Sequence, residues 1–206
     1  GGMGNDTLNG GQGHDTLSGG AGDDSFYLSS GADVYKGAAG YDVIYAGQNG
    51  ANLELDTGLL SSIEEISANG FVGMTIGAAN AAGSTIDLRR VYLSDGDIAS
   101  INGGNGDDTI FGSKVADYIF GGLGADTLNG FDSDDEVHGG GGVDTLTGGN
   151  GYDILYGDAG NDILNGGAQD DILFGGSGDD SFVVSANGGF DEFHGETGID
   201  TLSADV

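Results

Sequence analysis

The sequence predicts an all-β fold, a parallel β-solenoid in which nine-residue units are wound into stacked coils. Three observations predict it. Asp recurs every nine residues through two long stretches, an apolar residue follows each of these Asp by two positions, and 46 of the 206 residues are Gly. A short strand carrying one inward apolar side chain buries too little to stand alone, so such units are stable only when stacked on one another.

Composition narrows the reading further. The chain has 34 acidic and 4 basic side chains, a formal net charge of -30, and no Pro, Cys or Trp. The lack of Pro and of a three-residue period excludes collagen. The lack of Cys excludes disulfide scaffolds, thiolate zinc sites and cysteine nucleophiles. So few Lys and Arg exclude a nucleic-acid partner and oppose anionic membrane surfaces. No apolar run approaches the ~18 residues of a membrane span. The chain starts at Gly1 with no signal peptide, so it reads as an excised piece of a longer protein. Acid at this density, with this much Gly, predicts disorder unless something neutralises the charge.

The first block, residues 1–45, holds five units, with Asp6, Asp15, Asp24, Asp33 and Asp42 at the sixth position. Their eighth positions are Leu8, Leu17, Phe26, Tyr35 and Ile44. Residues 46–102 break the period. There LELDTG at 53–58, SSIEEISA at 61–68 and STIDLRRVYL at 84–93 read as short strands separated by turns, an irregular β segment that continues or caps the solenoid. The second block, residues 103–206, holds nine uninterrupted units with Asp108, Asp117, Asp126, Asp135, Asp144, Asp153, Asp162, Asp171 and Asp180 at position six. After a two-residue insertion the frame resumes with Asp191 and Asp200.

Within each unit, Gly at positions one, two and four supplies positive φ and close backbone approach, so the first six residues read as a turn. The last three read as a strand with its middle residue inward. Consecutive units run in opposite directions, so two units make one coil and turns on the same edge stack two units apart. Between stacked turns lie Asp carboxylates and turn carbonyls, an all-oxygen donor set suited to calcium rather than to a soft metal.

GGLGADTLN at 121–129 and GGNGYDILY at 148–156 show the full pattern Gly-Gly-x-Gly-x-Asp-x-U-x, where U is apolar. It resembles the repeat of the RTX (repeats-in-toxin) family, the hemolysin-type calcium-binding nonapeptide. The resemblance implies a right-handed parallel β-roll, with the sixteen sixth-position Asp as metal ligands. It also implies a secreted, extracellular or cell-surface location, export by type I secretion, and folding on extracellular calcium that helps neighbouring domains fold. Such modules bind calcium near ~10⁻⁴–10⁻³ M. Counting gaps between stacked turns gives about ten ions, seven in the long block and three in the first.

The two edges of the long block differ. On one, every fourth position is Gly (106, 124, 142, 160, 178); on the other they are Val115, Ser133, Gly151 and Gln169. The first edge is therefore expected to bind ions more uniformly and tightly. Outward strand positions differ as well: one sheet is rich in Thr and Asn, whereas the other carries Tyr118, Phe120, Ile154, Tyr156, Ile172 and Phe174. That stripe reads first as a surface packed against the middle segment or the first block, and second as a docking or sugar-stacking face.

Catalytic signals are absent: there is no HExxH and no G-x-S-x-G. His14, His138 and His194 read as isolated surface residues, Arg89 and Arg90 as partners of nearby acids. The expectation is thus a non-enzymatic calcium-binding module of a larger secreted protein. The rivals are a polysaccharide-binding accessory module resembling those of alginate epimerases, and an adhesin or surface-layer segment. The likeness of residues 19–37 to residues 175–195 favours the latter by pointing to a longer repeat of about 156 residues in the parent.

Overall fold

The computed structural model describes residues 1–29, 33–48, 50–55, 60–69, 71, 73–78, 83–94, 98–186 and 188–204. Among these residues all regular structure is strand, and no helix is long and apolar enough to cross a membrane.

Strands form where the apolar eighth position is flanked by Thr, Ser, Tyr or Ile, residues suited to a pleated, half-buried surface. In the first block β1 (Thr7–Asn9), β2 (Thr16–Ala21), β3 (Ser25–Tyr27), β4 (Val34–Ala39) and β5 (Val43–Tyr45) alternate between two sheets, β1-β3-β5 and β2-β4. All pairs are parallel, with Leu8 beside Phe26 and Leu17 beside Tyr35, so two nine-residue units complete each coil.

The middle segment winds differently. It contributes β6 (Asn52–Leu55), β7 (Leu60–Ser61), β8 (Glu65–Ser67), β9 (Met74–Ala78), β10 (Thr85–Asp87) and β11 (Tyr92–Ser94). β8 and β11 extend the sheet of β1, β3 and β5, while β7 extends that of β2 and β4. β6 and β9 found a new sheet, continued by β12 (Ile98–Asn105), and β10 opens another, continued by β13 (Thr109–Phe111). The coils β5-β6-β7, β8-β9-β10 and β11-β12-β13 therefore have three strands each. After them the chain returns to two strands per coil. The expected strands at 61–68 and 84–93 correspond to β8 and to β10 with β11, and that at 53–58 to β6, with 56–58 outside the described residues. β7 and β9 carry no periodic signal in the sequence.

From there β14 (Tyr118–Leu123), β15 (Thr127–Asp132), β16 (Glu136–Gly141), β17 (Thr145–Asn150), β18 (Ile154–Ala159), β19 (Ile163–Ala168), β20 (Ile172–Ser177), β21 (Ser181–Val184), β22 (Glu192–Thr197) and β23 (Thr201–Ala204) alternate between the two later sheets. The even-numbered strands complete an eight-stranded sheet and the odd-numbered ones a seven-stranded sheet.

From β14 onward the strands are longer than the three residues expected. β15 runs from position seven of one unit to position three of the next, because Phe131 and Asp132 stay in register with Gly149 and Asn150 of the following coil. Only positions four to six are left to turn. The glycines divide their work accordingly. At positions two and four they hold positive φ, as at Gly140 (101°) and Gly142 (152°). At position one they do not. There a Cβ on Gly139 would lie 2.6 Å from the Asp144 carboxylate and 2.8 Å from the Gly157 carbonyl, so close approach alone demands Gly.

A single core runs from Leu17 through the widened coils to Phe182. Ile44, Ile66, Ile76, Ile101, Ile119, Val137, Leu155 and Leu173 are among its fully buried members. Each such side chain contributes about 1.5–3 kcal/mol. The inward rows fix the register and so hold the turns directly above one another.

Candidate metal centres

Stacked turns bring the sixth-position Asp into continuous columns. On one edge the backbone N–H of Asp108 donates to Oδ1 of Asp126, and the same bond links Asp126 to Asp144, Asp144 to Asp162, Asp162 to Asp180 and Asp180 to Asp200, at 2.7–3.0 Å. On the other edge Asp117, Asp135, Asp153, Asp171 and Asp191 are joined in the same way at 2.8–3.1 Å. The first block repeats the pattern, from Asp6 to Asp24 to Asp42 and from Asp15 to Asp33, at 2.8–2.9 Å.

One carboxylate oxygen is thereby used; the second is not. Oδ2 of Asp15, Asp24, Asp42, Asp108, Asp126, Asp135, Asp144, Asp153, Asp162, Asp171 and Asp180 is buried without a hydrogen-bond partner. In the regular units it faces the position-one Gly of its own unit, beside the carbonyl of the matching Gly one coil on, as at Gly139. An unpaired buried carboxylate oxygen is costly, and repeated copies of one mark a place for a cation. Among the described residues no three or more His, Asp or Glu side chains converge, so a cation held here would take the rest of its ligands from turn carbonyls. Carboxylate plus carbonyl oxygen, without nitrogen or sulfur, fits a hard divalent ion of calcium's kind.

The other five predicted Asp differ. Asp33 Oδ2 accepts from Ser29 Oγ at 2.8 Å and from the Tyr35 hydroxyl at 3.3 Å. Asp117 Oδ2 accepts from the N–H and Oγ of Ser113 at 2.6 and 3.0 Å. Asp6 Oδ2 takes the Gly2 N–H at 2.8 Å. Asp191 and Asp200 lie near the C-terminal end and are only half-buried. Ser113 stands where most units of the long block have Gly, and in the unit at 112–120 protein groups occupy the carboxylate.

Two residues outside the repeats extend the columns. Glu64 Oε2 accepts the Asp42 N–H at 2.9 Å, and the Ser84 N–H donates to Asp108 Oδ1 at 2.5 Å. Fifth-position acids also have a role that the sequence did not reveal. Oδ1 of Asp107, Asp134 and Asp179 accepts the N–H of Ala125, Tyr152 and Ile199, tying successive coils together on the outside of the turn.

At their fourth positions the two edges differ in backbone strain, Gly filling every one on the first edge. Ser133 and Gln169 adopt φ of 88° and 85°, and Phe131 at position two adopts 89°. The left-handed region costs a non-Gly residue roughly 1–2 kcal/mol, which the stacking must override.

Burial pushes the carboxyls of Asp42 and of the long-block column Asp from Asp108 to Asp191 upward, opposed by the backbone N–H that each accepts. Asp135 is pushed up to about 8, Asp171 to about 7, and Asp117, Asp144, Asp153 and Asp162 to about 6. A carboxyl raised on folding favours the folded state fully below its unfolded value of 3.8, and that contribution is lost as pH rises through its folded value. The ion-free roll is therefore expected to gain stability as pH falls from about 8 to about 4. Circular dichroism of chelated protein across that range checks this.

On the outer face of the eight-stranded sheet, Phe120, His138, Tyr156, Phe174 and His194 form one stacked ladder, with ring centroids 4.4–5.0 Å apart. Among the described residues the stripe's Phe120, Tyr156 and Phe174 thus pack along one line of rings on the outer face. Both faces of His138, Tyr156 and Phe174 are covered by neighbouring rings, so these three offer only their edges outward. Two of the histidines read as isolated surface residues are members of this ladder. His138 lies 3.1 Å from Glu136 and 3.4 Å from Asp158, and His194 2.9 Å from Glu192. Arg89 pairs with Asp87 at 2.6 Å and stacks over Phe111 at 4.1 Å.

No curated protein matches the chain. The family model of the RTX calcium-binding nonapeptide repeat matches residues 1–35, 27–49, 100–116, 112–146, 147–182 and 185–205, and so covers nearly all of both repeat blocks and leaves out residues 50–99 between them. With more than half of its residues so matched, the chain belongs to the RTX calcium-binding nonapeptide repeat family.

Proposed function

We propose that the chain is a non-catalytic, calcium-folded module of a larger secreted protein. In this reading the column Asp bind about ten calcium ions between stacked turns. The chain stays unfolded at cytosolic calcium, passes a type I export channel in that state, and rolls up on reaching external calcium, where it helps adjoining domains fold. The observation that carries the reading is the row of eleven buried Asp Oδ2 atoms without a partner, in a chain with only 4 basic residues. Protein groups cannot neutralise them; a divalent cation can.

Calcium titration followed by circular dichroism and calorimetry tests the reading. The expected result is a cooperative gain of strand signal with a midpoint in the ~10⁻⁴–10⁻³ M range. Magnesium, which demands octahedral geometry and releases its water reluctantly, should not substitute at the same concentration. An unchanged spectrum from micromolar to 10 mM calcium would sink the proposal.

A further inference from the structure

Resting on the calcium reading above, we propose that Asp42, the Ser62 carbonyl and the Glu64 carboxylate form a calcium site outside the nine-residue units, fastening the three-sided coils to the first repeat block. Ser62 and Glu64 lie between the family matches, which stop at residue 49 and resume at residue 100. Yet they rebuild the repeat's donor set.

In a regular gap three things recur. The N–H of one Asp donates to the carboxylate of the next coil, the carbonyl of that Asp accepts the residue-seven N–H of the next coil, and Oδ2 shares the space beside Gly with a carbonyl of the next coil. All three recur between the turns at 37–42 and 62–64. The Asp42 N–H donates to Glu64 Oε2 at 2.9 Å. The Asp42 carbonyl accepts the Glu65 N–H at 3.2 Å. A side chain on Gly37 would collide with both Asp42 Oδ2 and the Ser62 carbonyl.

Asp42 is fully buried and its Oδ2 has no partner, so an unanswered negative oxygen points into this gap from the repeat side. On the other side Ser62, Ile63 and Glu64 span with three residues what a repeat spans with six. Glu in place of Asp adds one methylene, which lets the carboxylate reach from the shortened turn. Ser62 takes φ of 57°, the left-handed conformation that turns its carbonyl toward Gly37.

The decisive experiment pairs ion counting with direct location. Native mass spectrometry at saturating calcium should show Glu64→Gln carrying one ion fewer than the unmodified chain, since Gln keeps the hydrogen-bond acceptor and loses the charge. Glu64→Asp, one methylene too short to reach from that turn, should also carry one ion fewer, whereas the neighbouring control Glu65→Gln should carry the full number. An undiminished count for Glu64→Gln overturns the proposal. Should that variant not roll up, anomalous scattering from crystals of the unmodified chain grown with terbium decides. A peak between Asp42 and Glu64 supports the site. Peaks in the repeats but none there overturn it, whereas no peak anywhere overturns the calcium reading itself.

Discussion

Chelating calcium at pH 7 is expected to remove almost all strand signal from the chain and to expand it toward a radius of gyration of roughly 50 Å, the size of an unfolded chain of this length. Rolling up brings Asp column members within one coil of each other and buries a bare carboxylate oxygen at eleven of them. Several kcal/mol attach to each buried, uncompensated ion, and stability totals of 5–15 kcal/mol cannot carry eleven. Protonation relieves part of this only where the carboxyl is pushed high, as at Asp135 and Asp171. The inward rows of Leu and Ile favour the roll but do not answer the charge. Small-angle scattering and circular dichroism in excess chelator check the prediction, and restoring calcium should reverse both.

Gly142→Val is expected to destabilise the calcium-loaded roll by more than about 4 kcal/mol, beyond the range of ordinary substitutions. Gly142 holds φ of 152°, and an added Cβ would run into the Gly124 carbonyl of the preceding coil. Backbone, unlike a side-chain tip, cannot swing aside. The damage falls at position four, where the turn must pass closest to its neighbour. The converse change at the other edge should help. Ser133 already occupies φ of 88°, so Ser133→Gly removes strain and should add about 1 kcal/mol. Thermal unfolding at fixed, saturating calcium measures both, and equal destabilisation by the two would contradict the account.

The pattern of these effects shows what was legible in the sequence. A strict period of nine with apolar position eight leaves one way to stack, so the two-unit coil, the parallel register and the Asp columns could all be read from spacing. The three-sided coils could not. Residues 46–102 lack a period, and the handover from the sheet ending at β11 to the one beginning at β6 depends on long-range pairing such as Leu53 with Ile76. Site chemistry was legible to the same depth. Position six was visible as a column, but the diversion of Asp117 by Ser113 turns on one hydroxymethyl group in place of a hydrogen, together with the backbone N–H that carries it. Glu64 was hidden because its turn is shorter than a repeat and its side chain longer. The aromatic ladder was half visible: Phe120, Tyr156 and Phe174 stood out, whereas His138 and His194 join it only because parallel register puts them between and beside those rings.

The central claim is that the acid content of this chain is a set of ion sites. Native mass spectrometry with ion mobility reads it directly, because each calcium adds a fixed mass and compaction is seen on the same species. The account predicts that the compact form carries about ten calcium ions and that the ion-free form is extended at neutral pH. A compact, strand-rich chain carrying no calcium would contradict it.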